Sequence, residues 1–152
     1  MSTLQTFIKE SNRIEGIIRA PTKSEILVHE WLLALTSPTV ADLQHFVRTV
    51  ARREIRDQQG MDVVVGSHHP PRGGPAIPEA LGFILDNAKR GVGPYETHQR
   101  YEALHPFMDG NGRSGRALWL WQMVNQVKDP YVLSRGFLHT FYYQALAHGD
   151  RP

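Results

Sequence analysis

The amino-acid sequence predicts an all-α domain, a helical bundle carrying one short β-hairpin. Three observations carry that expectation. Apolar residues recur at three- and four-residue spacing along most of the chain. Thr39 and Asp42 form a capping-box pattern at the head of one such stretch. Three successive valines and a cluster of Gly and Pro fall together between residues 62 and 78, where they forbid helix and favour a strand. At 152 residues the chain fits a single domain, 1–152, long enough to bury a real core.

The elements follow in order. Leu4, Phe7, Ile8 and Ile14 give residues 3–16 a helical spacing, with Thr3 as cap. The stretch TKSEILVHEWLLALT, residues 22–36, is a strongly apolar helix. From Thr39 a third helix is expected to run to about Gln58. Val63, Val64, Val65 and Gly66 open the hairpin, or flap, over 62–78, and Pro70, Pro71, Gly73, Gly74 and Pro75 continue it. Helix resumes over 78–90, 94–104 and 112–126, the last an amphipathic helix with Leu118, Trp121 and Val124, and again over 134–148.

Composition excludes several classes. Without cysteine there is no disulfide, thiolate metal site or thiol nucleophile. No apolar run approaches the roughly 20 residues that span a bilayer, and the N-terminus lacks a signal peptide's apolar block. A cytoplasmic protein with no membrane partner is the expectation. Net charge is only +2, and Arg48, Arg52, Arg53 and Arg56 alternate with Glu54 and Asp57. That pattern reads as a solvated, salt-bridged helix face, so no nucleic-acid partner is expected. His68 and His69 have no third ligand near them and read as surface residues.

The chemistry concentrates in LHPFMDGNGRSGRALWLWQM, residues 104–123. Gly110, Asn111 and Gly112 form a tight loop entering a helix, an arrangement that points backbone N–H groups at an anion. Arg113 and Arg116 follow in the first turns, where the helix dipole disfavours cations and the two repel each other. An anion offsets both costs, and phosphate suits arginine's planar fork. Asp109 beside this nest is a Mg²⁺ carboxylate, with phosphates and water completing the octahedron. His105 titrates near neutrality and can take a proton from an attacking hydroxyl. Singly, each residue has a structural explanation; together they describe phosphate-group transfer.

The run His105, Pro106, Phe107, Met108, Asp109, Gly110, Asn111, Gly112, Arg113, Ser114, Gly115, Arg116 resembles the Fic-domain signature HPFxDGNGRxxR, with every fixed position filled. The stretch VVVGSHHPPRGGPAIP resembles the family's flap, and His98, Tyr101 and Glu102 its lead-in to the motif, so the resemblance covers about residues 10–125. It implies a helical Fic fold that moves AMP from Mg·ATP to a Ser, Thr or Tyr hydroxyl of a protein. His105 is then the general base and Asp109 the Mg²⁺ ligand. Gly110, Asn111 and Gly112 cradle the α- and β-phosphates, Arg113 and Arg116 hold the remaining charge, and Phe107 anchors the loop in the core. The flap, with Val63, Val64, Val65 and Gly66, would hold an extended target segment by strand addition.

Ser11, Asn12, Arg13, Ile14, Glu15 and Gly16 fit the family's inhibitory motif [ST]xxxE[GN], making residues 1–17 an inhibitory helix. The resemblance implies a salt bridge from Glu15 to Arg116 that denies Arg116 to the γ-phosphate of ATP. Other readings stay open. Doc-like phosphate transfer goes with a lysine where this chain has Gly112. UMP or phosphocholine transfer, removal of AMP with Glu15 positioning a water, and a nucleotide-binding regulatory module without turnover are the remaining alternatives. The protein substrate is unnamed and includes the chain itself; exposed helices leave room for a homo-oligomer.

Overall fold

A computed structural model describes residues 2–129 together with 132 and 133. Among them are six α-helices: α1 (Thr3–Ile14), α2 (Lys23–Leu33), α3 (Val40–Ala51), α4 (Ala76–Lys89), α5 (Pro94–Leu104) and α6 (Asn111–Gln122). The last runs into a π-helical turn over Met123–Val127. The domain is all-α, as expected. The helix expected over 134–148 lies outside the described residues.

Local chemistry explains most boundaries. Three helices begin with reciprocal capping boxes, Ser2 with Gln5, Thr22 with Glu25 and Thr39 with Asp42. The cap of α1 is therefore Ser2 and not Thr3. Pro94 opens α5 at a position where its missing N–H costs nothing.

The third helix ends seven residues before its expected end. It stops at Ala51 because Arg52 takes a left-handed conformation, φ 54° and ψ 41°. The chain then turns back, and Ile55 forms an antiparallel bridge with Phe107. No Gly or Pro marks this stop, so periodicity alone runs past it.

The flap is also smaller than a two-stranded hairpin. Its only pairing among the described residues is one antiparallel bridge, in which Val65 and His68 exchange N–H···O bonds of 3.0 and 2.9 Å. Gly66, at φ 59°, makes the tight turn between them. Val64 and Val65 are exposed, with no neighbouring strand among the described residues to extend the ladder.

Helix α6 is the axle of the fold. It packs on α1, α2, α3 and α5, and eleven of its twelve residues are buried. The amphipathic reading of this helix is thereby corrected, since a helix covered on all sides belongs inside the domain. Two apolar clusters surround it. The larger joins Leu32, Leu43, Phe46, Leu81, Tyr101, Phe107 and Leu118; the smaller holds Phe7 and Ile8 of α1 against Trp119, Leu120 and Met123.

Candidate active site

The loop between α5 and α6 is built around two left-handed residues. His105 closes α5 at φ 51° and ψ 62°, and Gly110 sits at φ 81° before α6. For a non-glycine residue such a backbone costs about 1–3 kcal/mol, so the surroundings must hold His105 there. They do so through several bonds. The Asn111 side chain accepts from the Phe107 N–H and donates to the Phe107 carbonyl, both at 2.8 Å. Arg56 N–H donates to the Pro106 carbonyl and Met108 N–H to the Glu54 carbonyl. Phe107 itself is fully buried in the main cluster, the anchor its sequence position implied.

His105 is half-buried. Burial pushes its imidazole below the ordinary value, and the charges of Arg56 and His68 push the same way; a bond with the Glu102 backbone and the charge of Asp109 act against them. The ring is therefore neutral at pH 7, the form a general base needs. Six residues on, α6 begins with no side-chain cap, leaving its first-turn N–H groups without intrahelical acceptors. Asp109 lies beside that end with its side chain largely exposed, accepting from the Gly110 N–H at 2.7 Å.

Arg113 follows on the buried side. Its Nη1 donates to the Val50 carbonyl at 2.8 Å, its Nη2 lies 4.0 Å from Asp109 Oδ2, and its buried Nε has no acceptor among the described residues. An orphaned guanidinium N–H beside an uncapped helix start is suited to an anion. Asn111 takes a different role from the one its motif position implies. Its amide is bonded to both backbone groups of Phe107, a structural duty, and its backbone N–H stands at the uncapped helix start. Ser114 is similarly internal: its hydroxyl donates to the Gly110 carbonyl at 2.7 Å and lies 2.6 Å from the Tyr101 hydroxyl.

Arg116 turns the other way, toward α1. Its Nε donates to Ser11 Oγ at 2.9 Å, and its Nη2 donates to the Ser11 carbonyl at 3.0 Å and to Glu15 Oε1 at 2.7 Å. The two arginines, neighbours on one helix face, are thus drawn apart by separate partners. Gly112 makes room for this contact, because a Cβ there would collide with Glu15 Oε1 and lie 2.8 Å from Arg116 Nη1. Glu15 is the C-cap of α1, and Gly16, at φ 78°, turns the chain away behind it.

Four residues to which the sequence reading gave no such role, Asn12, Arg19, Glu25 and Arg56, support these groups. Asn12 donates from α1 to Glu25 Oε2 of α2 at 3.2 Å, and Arg19 donates to Glu25 Oε1 at 2.8 Å. Glu25 thereby fixes the helix that carries Ser11 and Glu15. Arg56, expected on a solvated helix face, is fully buried, and among the described residues its side chain donates only to backbone carbonyls, those of His105, Leu104, Met61 and Pro71. Charge alternation hid it; the one available signal was its apolar neighbour Ile55. Arg48 does pair with Glu54 at the surface, at 2.7 Å.

Of the flap residues, Val63 is partly buried and Val64, Val65 and Gly66 face solvent. His68 anchors the turn, its Nε2 lying 2.9 Å from the Ala103 carbonyl, and His69 is exposed. Among the described residues no three His, Asp or Glu side chains converge as a metal cage. Asp109 is a single exposed carboxylate, a donor that could hold Mg²⁺ with water and phosphate oxygens as its other ligands. No described helix is long and apolar enough to cross a membrane.

A protein-family model described as Fic/DOC family matches residues 26–123. The match covers more than half of the chain and includes the flap, the loop and the start of α6, while Ser11, Glu15 and Gly16 precede it.

Proposed function

We propose that this chain, which belongs to the Fic/DOC family, is a Fic-type enzyme that transfers AMP from Mg·ATP to a protein hydroxyl and restrains itself through α1. The observation that carries the reading is a neutral His105 at the corner of the loop that leads into the uncapped start of α6, where Arg113 Nη2 comes within 4.0 Å of Asp109 Oδ2. His105 takes the proton of the incoming Ser, Thr or Tyr hydroxyl as its oxygen bonds to the α-phosphorus. The bond from that phosphorus to the bridging oxygen breaks, and pyrophosphate leaves. The N–H groups of Asn111, Gly112 and Arg113 receive the phosphate oxygens. Asp109 would hold Mg²⁺, which supplies charge screening across the phosphates.

Gly112 favours this reading over phosphate transfer of the Doc type, since it leaves the mouth of the helix without a lysine. The flap, tethered through His68, offers a target its unpaired backbone around Val64. The target is a protein presenting a hydroxyl in an extended segment, this chain included. Restraint follows from the bonds to Ser11 and Glu15, which hold Arg116 away from the nucleotide.

The experiment incubates wild type, Glu15→Gly and His105→Ala with Mg²⁺ and ATP labelled at the α- or γ-phosphate. Label from α-ATP alone, stronger in Glu15→Gly and absent in His105→Ala, is expected. Label from γ-ATP would move the enzyme to phosphate transfer, and unchanged activity in Glu15→Gly would remove the restraint.

A further inference from the structure

Arg56 is the feature that neither the motif nor the proposed reaction accounts for. A fully buried guanidinium ordinarily pairs with a carboxylate, yet among the described residues Arg56 makes no ion pair. All its side-chain bonds go to carbonyls, and those carbonyls belong to two different segments. Nε donates to the His105 carbonyl at 2.7 Å and Nη2 to the Leu104 carbonyl at 2.9 Å, at the left-handed corner leaving α5. Nη1 donates to the Met61 carbonyl at 3.0 Å and the Pro71 carbonyl at 2.9 Å, on either side of the flap's Val65–His68 turn.

The backbone of Arg56 repeats the pattern. Its N–H donates to the Pro106 carbonyl, and its carbonyl accepts from the Gly74 N–H, both at 2.9 Å. Gly73 completes the closure, because a Cβ there would lie 2.5 Å from the Met61 carbonyl oxygen. The loop between residues 56 and 74 is thus shut at its base on one side chain, and that side chain also grips the backbone of His105.

We propose that Arg56 is a positioning residue that locks the flap base and the His105 corner into one unit, so that a target held by the flap is placed against the His105 imidazole. This rests on the reading of His105 as the base. Arginine is the side chain that can do it: its planar fork aims several donors in fixed directions, whereas one ammonium cannot span both segments. The charge has a secondary effect. After burial itself, the Arg56 charge helps hold His105 in its neutral form.

The test uses the full chain in the Glu15→Gly background, with Arg56→Lys, Arg56→Gln and, as a matched loss of core stability, Leu81→Ala. Amide hydrogen exchange is followed at 61–71 and at 104–108, alongside kcat and the KM for ATP. In both Arg56 variants exchange should rise about tenfold or more in both segments together, because one side chain holds both. Turnover should fall about tenfold with KM for ATP changed less than about twofold, since the nucleotide groups on α6 are untouched. Leu81→Ala should leave both readouts near the parent at a comparable melting temperature.

A rise confined to one segment, parental kcat in Arg56→Lys, or the same pattern in Leu81→Ala would each overturn the proposal. A parent that transfers no label would instead overturn the reaction itself, and the exchange arm would still decide whether Arg56 couples the two segments.

Discussion

At the residue scale the site depends on a few conformations that ordinary side chains resist. Gly16 and Gly110 both lie at positive φ, 78° and 81°, but in different surroundings. A Cβ on Gly16 would meet open space, whereas one on Gly110 would lie 2.9 Å from Ala51 Cβ and 3.3 Å from Val47 Cγ1. Gly16→Ala should therefore cost only backbone strain, about 1–2 kcal/mol, and Gly110→Ala clearly more. Urea unfolding of the two variants measures the difference, and equal losses would mean that the Ala51 contact relaxes freely.

His105 gives a prediction of sign. Its value lies below the usual 6.5, so the neutral form dominates down to a lower pH than for a free imidazole. The acid limb of kcat/KM for Glu15→Gly should then fall below pH 6.5, with a plateau at neutrality. A midpoint above 6.5 would contradict the proposed base. At this scale the motif residues were legible in sequence, because each side chain's chemistry is local. The role of Asn111 was not, since its amide is committed to the Phe107 backbone only once the loop closes.

At the element scale, starts were more legible than stops. A capping box is a four-residue signal that can be read directly, and Thr39 with Asp42 showed it. The end of α3 depends on Arg52 taking a left-handed turn that tertiary packing imposes, so the helix looked longer than it is. The same error placed Arg56 on a helix surface. The flap was legible as a non-helical segment, but its valines suggested more strand than one bridge provides, because a ladder needs a partner and Val64 and Val65 face solvent.

Helix α1 is held to α2 by Glu25, and this contact has a pH signature. Burial alone would raise Glu25, but its bonds from Arg19, the Thr22 backbone and Asn12 outweigh that and hold it at about 2, against an ordinary 4.5. A depressed carboxylate stabilises the fold above its unfolded value and loses that contribution as pH falls through its folded value. Stability should therefore decline between pH 4.5 and about 2, and Glu25→Gln should flatten that decline. At neutral pH the same variant should lose about 1–3 kcal/mol and label more strongly with α-ATP, as α1 loosens over Arg116. Chemical unfolding across that pH range, with labelling at pH 7, measures both effects.

At the scale of the whole molecule, the two apolar clusters divide the domain into a body and a removable piece. The main cluster draws on α2 to α6 and the Ile55–Phe107 bridge, with no residue from α1. Helix α1 contributes Phe7 and Ile8 to the smaller cluster, against Trp119, Leu120 and Met123 of the central helix and its π-helical turn. The body thus keeps its own core when α1 departs. Beyond apolar contact α1 adds polar contacts, among them Ser11 and Glu15 on Arg116, and Asn12 on Glu25. A restraint built this way can be released without unfolding the enzyme.

Phe7→Ala combined with Ile8→Ala tests that arrangement while leaving Ser11, Asn12 and Glu15 in place. Burying either side chain is worth about 1.5–3 kcal/mol, which is comparable to the helix's few hydrogen bonds, so the double variant should leave α1 mostly undocked. The segment joining α1 to α2, residues 15–22, should then become sensitive to protease, while the body still melts in one cooperative transition. Labelling from α-ATP should rise toward the Glu15→Gly level, because an undocked helix takes both Ser11 and Glu15 away from Arg116. A helix that is cut readily while labelling stays at the wild-type level would show that α1 packs on the domain without governing it. The Glu15–Arg116 contact would then be a stabilising ion pair alone.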